Sequence, residues 1–164
     1  MALIIEDGNG IANANSFVTV AEAAAYAQAR GLTLPATDAE IEILLIKAVE
    51  YLLSIESRFK GSRVNHLQEL PWPRKDVYIY QSLEPLANNQ IPKALKNAQC
   101  QLAVDFVSND LLPTGQNKEI QQEIVGPIST TYFRSGTSVA QPVKALAILE
   151  PLLLQTYGLK VFRV

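Results

Sequence analysis

The chain has 164 residues and a formal charge of −2, with about half its residues apolar and 18% charged. That is enough chain for one domain with a real core, and the composition excludes an extended disordered polymer. It also lacks the strong basic excess of a dedicated duplex-DNA binder. The charge is unevenly placed. Residues 1–56 carry eight acids and two bases, whereas residues 57–164 carry twelve bases and eight acids. A chain negative at one end and positive at the other can pair head-to-tail with copies of itself, although uneven scatter over a surface gives the same numbers. The single cysteine, Cys100, rules out an internal disulfide. No signal-peptide pattern, Asn-x-Ser/Thr acceptor or long apolar run is visible, which leads us to expect a non-secreted protein with no membrane span.

In chain order, residues 6–16 are rich in Gly, Asn and Asp and predict a loop. Thr19 and Glu22 form a capping-box pattern that opens a helix over about 20–29, ended by Gly31. Thr37 and Glu40 repeat the pattern before a helix reaching about residue 56. Its apolar positions Ile41, Leu44, Leu45, Ala48, Leu52 and Ile55 recur at helical spacing. Ile43, Ile46, Val49 and Leu53 are apolar as well, so this helix predicts contact on more than one face. Residues 57–90 hold Gly61, Pro71, Pro73 and Pro85 and read as a long irregular connection, a length often associated with function. Pro92 suits the first turn of a third helix over about 92–109, with Leu95, Ala98, Leu102, Ala103, Phe106 and Val107 as its stripe. Residues 119–133 place β-branched and aromatic residues around Gly126-Pro127 and predict two short strands or extended arms. A last helix begins near Pro142, with Pro151 kinking or restarting it and Gly158 ending it. The expected fold is therefore mainly α. It is a small bundle of about four helices over residues 1–157, with a β-hairpin or extended arms near 119–133 and an extended tail over 158–164.

Catalytic equipment is sparse. One histidine and one cysteine, with no CxxC or HxxxH spacing, make no recognisable zinc site. A Cys100–His66 nucleophile pair is conceivable, but a cysteine in mid-helix more often packs as a small apolar group. Asp7-Gly8-Asn9-Gly10 starts like a calcium loop, yet Ala12 and Val18 stand where an EF-hand needs Gly and Glu. No phosphate-binding Gly-Lys-Ser/Thr occurs. Glu6, Glu40, Glu42, Glu50 and Glu56 show no spacing that selects acid/base chemistry over solvation. The expectation is a protein that is not an enzyme and holds no cofactor or metal.

The one basic patch is the segment Arg58–Lys75, which carries Arg58, Lys60, Arg63, Arg74 and Lys75 with Phe59 and Trp72 among them. Cations interleaved with aromatics suit single-stranded nucleic acid, and they equally suit an acidic protein surface. Trp72 between Pro71 and Pro73 fits an anchor with little freedom to lose, or a plug that ties the loop to the core.

Four stretches resemble, in order, a family of tailed-bacteriophage head–tail adaptor (connector, or neck) proteins, which also carries the name DnaT-like ssDNA-binding. The first is Glu6-Asp7-Gly8 with Ala14-Asn15-Ser16-Phe17 and Val20-Ala21-Glu22-Ala23. The others are Leu70-Pro71-Trp72-Pro73-Arg74, then Ile91-Pro92 with Ala94-Leu95-Lys96 and Ala98, then Val125-Gly126-Pro127-Ile128-Ser129 with Tyr132. The resemblance implies a helical adaptor in the virion neck, made in the host bacterial cytoplasm and assembled as a homo-oligomeric ring, a dodecamer. Its partners would be the portal protein and the next neck or tail protein, with genomic DNA passing the lumen without sequence readout. The second name implies single-strand binding, to which the negative charge and few aromatics lend little. We expect the docking residues to be Arg58, Lys60, Arg63, Trp72, Arg74 and Lys75, together with Val161, Phe162, Arg163 and Val164 of a tail that meets the portal.

Overall fold

In a computed structural model of the chain, residues 2–79, 82–108, 111–112, 122–125, 128–131 and 141–154 are described, the two strands by their backbone alone. The N-terminal loop is organised by a buried carboxylate. Glu6 is 2% exposed, and its two oxygens accept the amides of Gly8, Gly10 and Ile11, each at 2.8 Å. Gly8 is fixed at φ +110°, and a Cβ there would stand 1.8 Å from the Asn89 carbonyl oxygen, so only glycine allows this loop to lie against the turn before Pro92.

Helix α1 spans Val20–Gln28 and opens with the expected capping box: the Glu22 amide donates to Thr19 Oγ1 (3.1 Å) and the Thr19 amide to Glu22 Oε2 (2.8 Å). It closes as a Schellman turn, with the Leu32 amide on the Ala27 carbonyl, the Gly31 amide on the Gln28 carbonyl, and Gly31 at φ +62°. Helix α2 spans Asp38–Ser54. Its cap differs from the sequence expectation. Thr37 Oγ1 accepts the Glu40 amide, but it also donates to Glu40 Oε2 at 2.6 Å, so the glutamate bonds the hydroxyl rather than the Thr37 amide. Only half of the reciprocal box forms.

A short 3-10 turn, Glu56–Arg58, follows α2, and a small hairpin then interrupts the long connection. Its strands β1 (Ser62–Arg63) and β2 (Arg74–Lys75) pair antiparallel, with Ser62 opposite Lys75 and Arg63 opposite Arg74. Residues 57–90 are thus less irregular than the prolines suggest. Helix α3 spans Lys93–Ser108 and packs on α1, α2 and α4 (Val143–Leu149), which makes it the central element. Strands β3 (Gln122–Val125) and β4 (Ile128–Thr131) form the second antiparallel hairpin, at the position expected from Gly126-Pro127. Pro151 restarts the last helix as a 3-10 turn, Glu150–Leu152, and Leu153 then bridges to Phe59. The mainly α bundle is as expected, with four α-helices among the described residues.

The core joins Phe17, Leu45, Leu52, Leu95, Leu102 and Leu149, all essentially unexposed. Each such side chain contributes on the order of 1.5–3 kcal/mol on burial. One polar group sits among them. The Gln99 side chain accepts the Phe17 amide (3.0 Å) and donates to Ser16 Oγ (2.8 Å) and the Leu45 carbonyl (3.1 Å), so the N-terminal loop, α2 and α3 share one fully satisfied amide.

Candidate functional site

The basic segment is the natural place to look for a binding surface, and the structure turns most of it inward. Glu56, the first residue of the 3-10 turn after α2, is the organiser. Arg63 grips it with two bonds, Nε to Oε1 and Nη2 to Oε2, both 2.6 Å, and a third donor, Nη1, reaches the Gln68 carbonyl at 2.6 Å. Arg74 comes from the paired strand. Its side chain is 7% exposed, and Nη1 lies 3.3 Å from Glu56 Oε1. The rest of the guanidinium donates to backbone carbonyls: Nε to Lys60 (2.8 Å), Nη2 to Gly61 (2.8 Å) and Nη1 to Pro71 (3.3 Å). The hydrogen bond from Arg63 holds the Glu56 carboxyl below its ordinary range against the opposing effect of burial, and it raises Arg63 in turn. Burial lowers Arg74, and Glu56 offsets this in part.

Lys60 is likewise engaged, its Nζ donating to the Pro151 carbonyl (2.9 Å) and the Tyr78 carbonyl (3.2 Å). Trp72 is fully buried and packs edge-on against Phe59, with ring centroids 6.3 Å apart. Its Nε1 has no hydrogen-bond partner. The Arg74 guanidinium sits 6.0 Å from the Phe59 ring centre. Gln68, also buried, ties the hairpin loop by donating to the Leu70 and Pro73 carbonyls and accepting the Asn65 amide. The expected site therefore divides. Lys60, Arg63, Trp72 and Arg74 brace the loop, and of the expected set only Arg58 and Lys75 are exposed here. Of the six residues expected to present a docking face, Arg63 and Arg74 have few donors left to offer, because their guanidinium groups are satisfied by carbonyls and a carboxylate. Val161, Phe162, Arg163 and Val164 lie outside the described residues.

The braced loop does present other groups. Leu67 (74% exposed), Val64, His66 and Tyr78 face solvent. A second exposed apolar feature lies elsewhere. Pro35, Glu40, Ile43, Leu44, Phe106 and Val107 line an open groove of about 270 Å³ between the first half of α2 and the last turn of α3. Ile43 and Val107 are about half exposed there. The extra apolar face of α2 was the sequence signal for this groove. Glu56, Gln68 and Gln99 gave no such signal, since each becomes important only through partners brought close by the fold.

Cys100 is 4% exposed, and burial pushes its thiol up to about 12, so the thiolate that a nucleophile requires is suppressed. His66 sits on the exposed hairpin loop. Among the described residues, no cluster of three or more His, Cys, Asp or Glu is placed to hold a metal ion, and no helix is long and apolar enough to cross a membrane.

Fold and site together define a small, mainly helical protein whose one basic loop is cross-braced from within. The family model described as "Putative DnaT-like ssDNA binding protein" matches residues 1–164, and the chain belongs to that family. Comparison with curated proteins and with solved structures returns no match.

Proposed function

We propose that the chain is a non-catalytic docking subunit, and in its finer form a head–tail adaptor that assembles as a ring in the neck of a tailed phage. One observation carries this reading: three of the five loop cations, Lys60, Arg63 and Arg74, are bonded within the chain and Trp72 is buried, while apolar side chains are left outside. Leu67, Leu83, Val143, Leu154, Ile43 and Val107 are all 47% exposed or more. Exposed apolar groups beside cations already bonded within the chain suit protein docking better than a phosphate track. The portal, the next neck or tail protein and further copies of the chain are the partners this reading assigns, and DNA crosses the lumen without base contacts.

A second reading, single-stranded DNA binding, is favoured by the family description. On the braced loop it would rest on Arg58, Lys75 and the exposed ring of Tyr78. One pair of measurements separates the two. Mass photometry of the purified protein reports whether it forms discrete rings. Fluorescence anisotropy with a labelled single-stranded oligonucleotide, at two salt concentrations, reports nucleic-acid affinity. The docking reading expects rings and weak, non-saturating DNA binding. Tight, strongly salt-dependent binding by a protein that stays monomeric would overturn it.

A further inference from the structure

The groove between α2 and α3 shares no lining residue with the braced loop, and the described residues leave it open. We infer that it receives the C-terminal segment of a second copy of this chain, residues 159–164, in a head-to-tail contact. The inference rests on the ring reading above and gives that ring its joint.

Charge is the first argument. The segment is Leu159-Lys160-Val161-Phe162-Arg163-Val164, four apolar residues and two cations with no acidic side chain. The groove offers apolar walls from Ile43, Leu44, Phe106 and Val107, with Glu40 at its edge and Asp38 exposed two residues away. It also abuts the last turn of α3, whose carbonyl end favours cations and which carries no basic residue of its own. An apolar strip flanked by negative charge matches an apolar segment flanked by positive charge.

Geometry is the second argument. The described chain ends at Leu154, whose amide donates to the Arg58 carbonyl at 2.7 Å, just past the carboxyl end of α2. The groove sits near the opposite end of the same helix. Ile43 and Ile55 are twelve positions apart in the chain, roughly 18 Å along a helix axis. The end of the described chain and the groove therefore lie toward opposite ends of α2, the arrangement that a heterologous contact requires. Docking on its own groove would carry the tail back along α2, past the exposed polar side chains of Lys47, Glu50 and Ser54. A neighbour's groove needs no such crossing. A six-residue segment in one groove is a small interface, so a single contact is weak and ring closure multiplies it.

The test uses the full chain. Ile43→Cys combined with Phe162→Cys is oxidised mildly; the native thiol, Cys100, is buried and silent. The expected result on denaturing gels is a ladder of disulfide-linked oligomers, absent from either single-cysteine variant. A cross-link confined to the monomer would overturn the inference in favour of a tail folded onto its own chain. In parallel, Ile43→Glu and the pair Lys160→Glu with Arg163→Glu are compared with wild type by mass photometry, with circular dichroism confirming the fold. Each variant alone is expected to lose the ring. The substituted position 43 is already half exposed, so the fold tolerates it. Rings that persist in Ile43→Glu refute this joint and leave the ring reading standing. A wild type that stays monomeric at every concentration refutes both.

Discussion

Glu56→Gln tests the bracing directly. The substitution keeps the shape and removes the charge. Arg63 loses an ion-paired fork, but its side chain is 28% exposed, so water replaces part of what is lost. That half is worth on the order of 1 kcal/mol. Arg74 is different: it is 7% exposed and cannot be rehydrated in place. Removing one partner of a fully buried pair costs about 3–5 kcal/mol. Here three backbone carbonyls still accept from the guanidinium, so the residual cost is nearer 1–2 kcal/mol. The sum is about 2–3 kcal/mol, or roughly 5–10 °C in Tm for a chain of this size. Circular dichroism melts and urea titrations at pH 7 measure it. A loss under about 0.5 kcal/mol, the range of ordinary surface substitutions, would refute the role assigned to Glu56.

The pH dependence gives a second check on the same residue. The folded carboxyl is held below its ordinary value, chiefly by the bond from Arg63. Its contribution is therefore complete above the unfolded carboxylate pKa of about 4.3 and is lost as pH falls through the lower folded value. The stability gap between wild type and Glu56→Gln should stay constant from about pH 7 to pH 5 and close below about pH 4. A gap that widens on acidification contradicts the assignment.

Three further outcomes are expected. Trp72 is the sole tryptophan and is fully buried, so its emission should be blue-shifted, resist iodide quenching and stay unchanged on adding oligonucleotide; quenching by DNA would return Trp72 to the binding site. Cys100 should resist an aromatic disulfide reagent at pH 8 until urea unfolds the chain, and fast native labelling would contradict its burial. Gly61→Ala should cost about 2–4 kcal/mol in urea titration, since φ is +67° and a Cβ would stand 2.1 Å from the Lys75 carbonyl oxygen; a neutral variant would show that the β1–β2 hairpin gives way easily.

The helices were legible because they are locally determined. Thr19 caps, Gly31 turns left-handed, and the stripe of α3 recurs every three to four residues. The pairing of β3 with β4 was legible for the same reason, as β-branched residues cluster in that stretch of the sequence. The basic loop was not. A run of cations looks alike whether it faces water or a partly buried carboxylate, and Glu56 meets Arg74 eighteen positions away only because β1 pairs with β2. Gln99 was hidden by the opposite effect. A polar residue in a helix reads as solvated, yet here it satisfies the Phe17 amide in the middle of the core.

What the bracing removes sets a limit on single-strand binding. Counterion release gives a slope of about −0.7 in log affinity against log salt for each phosphate neutralised on a single strand. Arg58 and Lys75 are the exposed cations among the six loop residues expected to dock. Binding through them alone gives a slope no steeper than about −1.4. With the other cations turned inward, a steeper slope, beyond about −3, would have to draw on cations outside this loop. Lys160 and Arg163 are among these, and the joint between copies needs the same two residues. Ring assembly and oligonucleotide binding would then compete. Charge reversal at Lys160 and Arg163 would abolish both, whereas Ile43→Glu would abolish assembly alone.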